Sequence, residues 1–331
     1  MTGREEVFVE AAARLHFGML DLRGERGRWF GGIGAAAPAP TLLVSASEAD
    51  TLEVEGDDAE RAADYARCFM AHHGVGSGAR LRVHRALPRH AGLGSGTQLA
   101  LAVARALAEL HGIEADAPGL ARAVGRARRS AVGTWTFAGG GLVVEGGRHR
   151  DRDDCGPLLA RLPFPPSWRC VVAVPAAVPG VSGTDEAAAF DRLPVPSERD
   201  VERVAHLVLM ALLPGVADAD IDAFGAALTQ IQEMIGRWFA SVQGGTFAPG
   251  ASQALVRRMH EWGASGVGQS SWGPAVYGIV AGEAVGARLA DRVRGALGHT
   301  CAVYEGAFPT HGARVWRATN APCAFKPQPA P

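Results

Sequence analysis

Between Pro88 and Leu99 the chain reads Arg89-His90-Ala91-Gly92-Leu93-Gly94-Ser95-Gly96-Thr97-Gln98. Glycines recur at every second position there, just ahead of the apolar run Leu99–His111. A glycine-rich turn that opens a helix leaves backbone N–H groups unpaired and points the positive end of the helix dipole outward. A side chain in place of those glycines would block close approach and disfavour left-handed φ. The chemistry this suits is anion binding, phosphate above all, with Arg89 and His90 adding charge at the entrance. The segment is neither G-x-x-x-x-G-K-[ST], since no lysine follows, nor G-x-G-x-x-G. A strand-to-helix turn with no ligand is the alternative.

A second polar, glycine-rich stretch runs from Gly263 to Pro274 and contains Gly268, Gln269, Ser270, Ser271 and Trp272. It offers anion donors and an aromatic plane; a plain helix-to-strand loop is the competing reading. Two such loops, one in each half of the chain, predict a ligand with two separated phosphate groups lying between domains. Near the N-terminus, Arg14 and His16 share one face of an extended chain, followed by Asp21, Arg28 and Gly31-Gly32-Ile33-Gly34. Asp21 suits a metal or a ribose hydroxyl, and His16 is either a site residue or a hydrogen-bonded structural histidine. Arg126, Arg128, Arg129 and Ser130 close an expected helix and precede Gly133-Thr134. Arginines there complement the helix dipole from a solvated face, unless one enters a site. Val181–Glu186 reads as a helix cap or a further polar loop.

The background composition narrows the class. The chain has 331 residues, 47% hydrophobic and 20% charged, with a formal net charge of -1. That is too apolar and too balanced for a disordered chain. It also lacks the basic surplus of a nucleic-acid or polybasic membrane binder. Among 33 basic residues the one lysine is Lys326, in a proline-rich tail, so Schiff-base and P-loop lysine chemistry are close to excluded. Arginine instead suits bidentate recognition of carboxylate and phosphate. The cysteine count, 5, is odd and contains no C-x-x-C, as in a reducing cytosol. Met1–Glu10 has no apolar h-region, and Val204–Val216 is too short to span a bilayer. The expectation is a cytoplasmic protein without nucleic-acid or membrane partners.

Elements of both kinds must position these residues. Strands are expected at Val7–Ala13, Thr41–Ala46, Arg80–Arg85, Gly139–Val144, Arg169–Val174, Ala275–Val280 and Cys301–Tyr304. Helices are expected at Asp57–His73, stopped by Gly74, at Leu99–His111, and at Gly119–Arg129 after Asp116 and Pro118. Four more follow: Val201–Leu213 after the cap-like Ser197 and Asp200, Asp220–Phe239, Ser252–Trp262 and Glu283–Leu297. The fold class is α+β with two domains, 1–180 and 181–308, and a loose tail over 309–331.

With these residues assembled, the chain resembles the GHMP kinase superfamily. Pro88 through Thr97 is similar to that superfamily's P-x-x-x-G-L-G-S-S phosphate loop, with Gly96 where a second serine is usual. Within it the chain resembles the β-ribofuranosylaminobenzene 5′-phosphate synthase family, through Arg14–Gly18, Gly31–Gly34, Arg89–Gln98, Arg129–Thr134 and Gly268–Pro274. The resemblance implies a two-domain GHMP-kinase-like fold, with a ribosomal-S5-like N-terminal domain and a ferredoxin-like C-terminal one. It also implies a homodimer, Mg2+, and a reaction of early methanopterin biosynthesis. Phosphoribosyl pyrophosphate and 4-aminobenzoate, or the related 4-hydroxybenzoate, would give a C-riboside 5′-phosphate, CO2 and pyrophosphate.

On that resemblance, His16, His90, Arg89 and Asp21 are expected to be catalytic, with Asp21 also the metal ligand. Arg14, Arg28, Arg129, Thr134 and the two loops, Gly92, Gly94, Ser95, Gly96, Thr97, Gln98 and Gly268–Trp272, are expected to bind substrate. One departure separates synthase from kinase. Gly133 stands where GHMP kinases typically carry an aspartate base, and losing a general base costs a hydroxyl transfer roughly 10²–10⁴-fold. A GHMP small-molecule kinase using ATP and a non-catalytic phosphoribosyl sensor are the competing readings.

Overall fold

The computed structural model describes residues 5–152, 154–176, 188–298 and 301–319. The Val181–Glu186 motif, Cys323 and Lys326 lie outside them. The first strand, β1 (Glu5–Asp21), buries Val7, Val9, Ala11 and Ala13 and leaves the alternate residues on the other face. That period of two is what a half-buried strand requires. It pairs antiparallel with the still longer β2 (Arg28–Ala49). Onto this ribbon are built β3 (Glu53–Gly56), α1 (Ala59–His73) and β4 (Gly78–Arg85), then α2 (Ser95–Leu110), α3 (Ala117–Ala123) and α4 (Val132–Gly139). β5 (Leu142–Glu145), β6 (Arg148–His149) and β7 (Leu158–Leu162) complete the chain's first pass through this sheet. Nearly every residue of α2 from Gln98 to Ala108 is buried, and its many alanines let neighbouring elements approach on all sides.

The second sheet is fully antiparallel, with strand order β11-β8-β10-β9. Its strands are β8 (Trp168–Val174), β9 (Gly266–Gln269), β10 (Val276–Ala281) and β11 (Ala302–Ala307). Between β8 and β9 lie α5 (Glu198–Leu207), a π turn (Val208–Leu212), α6 (Leu213–Ala217), α7 (Ile221–Gln243) and α8 (Ala251–Glu261). α9 (Glu283–Leu297) links β10 to β11. Helices between outer and inner strands, with a hairpin in the middle, give the ferredoxin-like arrangement. The two sheets share one core: the Phe17 and Tyr277 rings lie 5.0 Å apart, and those of Trp168 and Phe224 also 5.0 Å. Among the described residues no helix is long and apolar enough to cross a membrane.

Four expectations are corrected. β8 belongs to the second sheet, so that sheet begins before residue 181. The tail expected from Pro309 is ordered into β12 (Arg314–Thr319), which pairs with β1 along Glu5–Glu10. An uncovered β1 would be an open edge of unpaired backbone groups; β12 closes it and stacks Trp316 on Phe8 at 5.4 Å. The helix expected to reach Arg129 ends at Ala123, because Gly125 takes left-handed φ and Arg126 N–H bonds back to Ala121 O at 2.7 Å. Just beyond it, α4 forms where only a loop and a strand start were expected. It buries Val132, Gly133, Thr134, Thr136 and Phe137, and so shows no amphipathic period to read.

Candidate functional site

Two irregularities in the pairing of β1 with β2, the first with extra residues on β2 and the second on β1, build the site. The β1–β2 register breaks between Ala12 and Arg14 and again between His16 and Gly18. Bulges of this kind bend a strand and re-aim its side chains. Arg14 and His16 both line a cavity of about 230 Å³. Arg14 Nη1 donates to Gly92 O at 2.7 Å and its backbone N–H to Leu93 O at 3.0 Å, which ties the strand to the glycine loop. The backbone N–H of His16 donates to Ser270 Oγ at 2.9 Å, and its Nε2 shares a hydrogen bond of 3.1 Å with Ser130 Oγ.

The glycine loops, expected to hold separate ends of a ligand, are in fact clamped together. Ser270 Oγ donates to Gly92 O at 2.6 Å, and Ala275 N–H to Ala91 O at 3.1 Å. Gly92 sits at φ +79°, where a Cβ would lie 2.2 Å from Ser270 O. Only glycine permits that approach. Gly94, at φ +74°, caps α2, whose first turn carries Ser95, Gly96 and Thr97. Thr97 lines the cavity, while Gln98 is buried and donates to Gly133 O at 3.0 Å. Arg126 reaches the same helix start: a Cβ on Gly96 would lie 3.2 Å from Arg126 Nη2. Its guanidinium lies 4.9 Å from the Tyr65 ring centroid and donates to the Tyr65 hydroxyl.

A further wall comes from α7, whose Gln232, Ile235, Gly236, Phe239 and Gln243 recur at helical spacing along the cavity. Gln232 donates to Phe17 O and accepts from Gln269 N–H at 2.8 Å. Gln269 accepts from Ala248 N–H at 2.7 Å. Phe190, Phe247, Ser271 and Trp272 complete that side. Among the described lining residues there are four arginines, Arg14, Arg126, Arg128 and Arg129, and no carboxylate.

The other expected site residues fall elsewhere. Asp21 Oδ1 accepts from Arg23 N–H at 2.6 Å and Gly24 N–H at 3.2 Å, stabilising the turn after β1 outside the cavity lining. Arg28 donates to Gly147 O at 2.8 Å and meets His149 Nε2 at 2.9 Å. Arg89 is largely exposed and pairs with Asp58 at 3.4 Å. His90 is exposed at φ +56° and does not line the cavity. Thr134 is buried in α4, Ser270 is the clamp just described, and Gly268 lies in β9, where a Cβ would meet Tyr277 Oη at 2.4 Å. No group of three His, Cys, Asp or Glu side chains able to hold a metal ion occurs among the described residues.

Two buried titratable groups sit at the arginine-bearing segment. His16 is 5% exposed, and burial, reinforced by Arg14, pushes its pKa down from 6.5 to about 3. It is therefore a neutral hydrogen-bonding group at physiological pH. Glu145, which the sequence did not single out, is 1% exposed and accepts from Ala131 N–H at 3.1 Å and Gly147 N–H at 2.8 Å. Burial pushes its pKa up to about 7 against those two donors. A Cβ on Gly32 or Gly156 would overlap its carboxylate, so glycines at both positions make room for it.

Residues 59–140 match the family described as GHMP kinases N terminal domain. The β-ribofuranosylphenol 5′-phosphate synthase of Methanothermobacter thermautotrophicus is 35% identical over 296 residues, covering 83% of this chain and 88% of the relative. Its counterpart from Archaeoglobus fulgidus is 37% identical over 291 residues, covering 84% and 89%. Homoserine kinase from Cytophaga hutchinsonii superposes with a TM-score of 0.68 at 16% identity, over 94% of this chain and 97% of that one. Mevalonate kinase from Methanococcus jannaschii gives 0.64 at 10% identity, over 91% and 98%. At those identities the likeness shows the fold.

Proposed function

This chain belongs to the β-ribofuranosylphenol 5′-phosphate synthase family, and we propose that it moves a phosphoribosyl group from phosphoribosyl pyrophosphate onto a para-substituted benzoate. The relatives are named for a phenol, so 4-hydroxybenzoate stands beside 4-aminobenzoate as the acceptor to test. The observation that supports the reading most is the set of four arginines that line one cavity together with Thr97 from the first turn of α2. Such a surface suits a ligand that brings a pyrophosphate, a phosphate monoester and a carboxylate.

The chemistry asks little acid–base work of the protein. The anomeric C–O bond breaks and its electron pair leaves with pyrophosphate. The ring carbon bearing the carboxylate bonds to the anomeric carbon from the opposite face. CO2 then departs, and the electrons of its bond restore the aromatic ring. No net proton has to be removed, which suits a cavity whose described lining includes no carboxylate. Arg126, Arg128 and Thr97 stabilise the charge that builds on the departing pyrophosphate. His16, uncharged and held by Ser130 and Ser270, orders the cavity floor. A phosphoryl-transferring kinase is disfavoured at Gly133, which offers no side chain to serve as the base such a transfer needs.

Incubation with phosphoribosyl pyrophosphate and carboxyl-labelled 4-hydroxybenzoate or 4-aminobenzoate tests the proposal. Labelled CO2 and pyrophosphate should appear in equal amounts with at least one acceptor. ATP-dependent phosphorylation of a small hydroxylated substrate, with no CO2 from either benzoate, would refute it.

A further inference from the structure

The cavity has a second character that phosphate binding does not use. Beside Arg129, the rings of Phe190, Phe239 and Trp272 meet nearly edge to face and form a corner. Phe239 and Trp272 lie 4.7 Å apart at 74°, Phe190 and Trp272 5.7 Å apart at 83°, and Phe190 and Phe239 5.8 Å apart at 86°. They come from three places in the chain: residues 188–191, α7 and the segment after β9. Trp272 is 6% exposed yet still lines the cavity. The Arg129 guanidinium lies over the Phe190 face, 5.3 Å from its centroid. Apolar rings on one side and a guanidinium stacked at their edge are what a planar acid needs, with its ring on the aromatics and its carboxylate toward the cation.

We propose that the Phe190–Phe239–Trp272 corner, with Arg129 at its rim, is the subsite for an aromatic carboxylate. The proposal rests on the reaction above and places its acceptor. It also has a chemical reason. A carboxylate that leaves as CO2 loses its charge in the transition state, so gripping that charge tightly would stabilise the ground state and slow the step. Binding energy drawn from the ring, remote from the breaking bond, carries no such penalty. The stacked Arg129 orients the acid, while the aromatic corner holds it.

Isothermal titration tests the subsite without turnover, using 4-hydroxybenzoate and its saturated analogue 4-hydroxycyclohexanecarboxylate, each with and without pyrophosphate. The saturated acid keeps the charge and the hydroxyl but has no π face. The aromatic acid should bind at least about fivefold more tightly. Phe239→Leu and Phe190→Leu should each weaken it about 2- to 12-fold, the range expected for one aromatic pair, and Trp272→Leu at least as much. Affinity for the saturated acid and for phosphoribosyl pyrophosphate should stay within twofold. Thermal melts identify any variant that fails to fold, and Phe190, only partly buried, keeps the test open if Trp272→Leu does. Equal binding of the two acids, no binding of the aromatic one, or variants that weaken only phosphoribosyl pyrophosphate would overturn the subsite. Selective aromatic binding without CO2 release would keep the subsite and sink the reaction; CO2 release with variants that act only on the donor would do the reverse.

Discussion

Replacing His16 by glutamine probes the electrostatics of the cavity most directly. An unfolded histidine takes up a proton near pH 6.5, whereas the folded His16 resists it down to about pH 3. A depressed folded pKa contributes stability that is fully present above pH 6.5 and is lost as pH falls toward 3. The slope is about 1.4 kcal/mol per pH unit, so the two units from pH 6.5 to 4.5 correspond to about 3 kcal/mol. Glu145 runs the other way. Its folded pKa is raised from 4.5 to about 7, so its contribution is present below pH 4.5 and is lost as pH rises to 7. The two limbs offset one another in the wild type between pH 4.5 and 6.5. His16→Gln leaves the Glu145 limb alone, and the variant's unfolding free energy should fall by about 3 kcal/mol over that range relative to wild type. Urea unfolding followed by tryptophan fluorescence at half-unit pH steps measures the difference. The same burial predicts no limb near pH 6.5 in kcat/KM that disappears in the variant. Parallel stability curves, or a wild-type limb near 6.5 abolished by His16→Gln, would refute the reasoning, because either would mean that the imidazole titrates as if solvated.

Gly92→Ala should destabilise by about 2–4 kcal/mol, from left-handed strain plus loss of the Ser270 hydrogen bond, and should cost most of the activity. Gly27→Ala, also at positive φ but with open space around it, should show only the strain and keep its activity; equal melting temperatures for the two variants would count against the clamp. Glu145→Gln can accept from only one of its two backbone donors and should cost about 1–3 kcal/mol at pH 4.5, with the stability loss between pH 4.5 and 7 gone; a melt at pH 4.5 as high as wild type would contradict the clamp it makes on Ala131. Arg126→Gln should raise the KM for phosphoribosyl pyrophosphate by about 10- to 150-fold and leave the acceptor KM nearly unchanged, whereas a rise confined to the acceptor would move Arg126 to the other end of the site.

Local signals in the chain were sufficient for much of the fold. The alternation Val7-Val9-Ala11-Ala13 specifies a half-buried strand, Gly74 stops α1 with left-handed φ, and the Asp116 side chain caps α3 by accepting from Gly119 N–H at 2.7 Å. Each is a contest among neighbours a few residues apart, settled by sterics and unpaired backbone groups. The glycine loop was legible for the same reason, since only a close approach or a positive φ calls for Gly92 and Gly94.

What the loop approaches was not legible. Gly92 and Ser270 are 178 positions apart, and nothing local tells either segment that the other is its partner. The spacing suggested two loops holding separate phosphate groups of one ligand between domains; the shared core beneath them brings the loops into direct contact. The arginines follow the same rule. Arg126, Arg128 and Arg129 looked like the end of a helix, and a Schellman turn at Gly125 brings their segment into the cavity instead. Asp21 and Arg28 had suitable chemistry for a site but are occupied by turns and strands nearby. Glu145 and the corner of Phe190, Phe239 and Trp272 carried no local pattern at all. The sequence by itself determined most of the elements and the glycine loop, because those depend on neighbours. The tertiary structure alone decided which arginines, which histidine and which rings share a cavity, because packing two sheets into one core sets distances that no local spacing encodes.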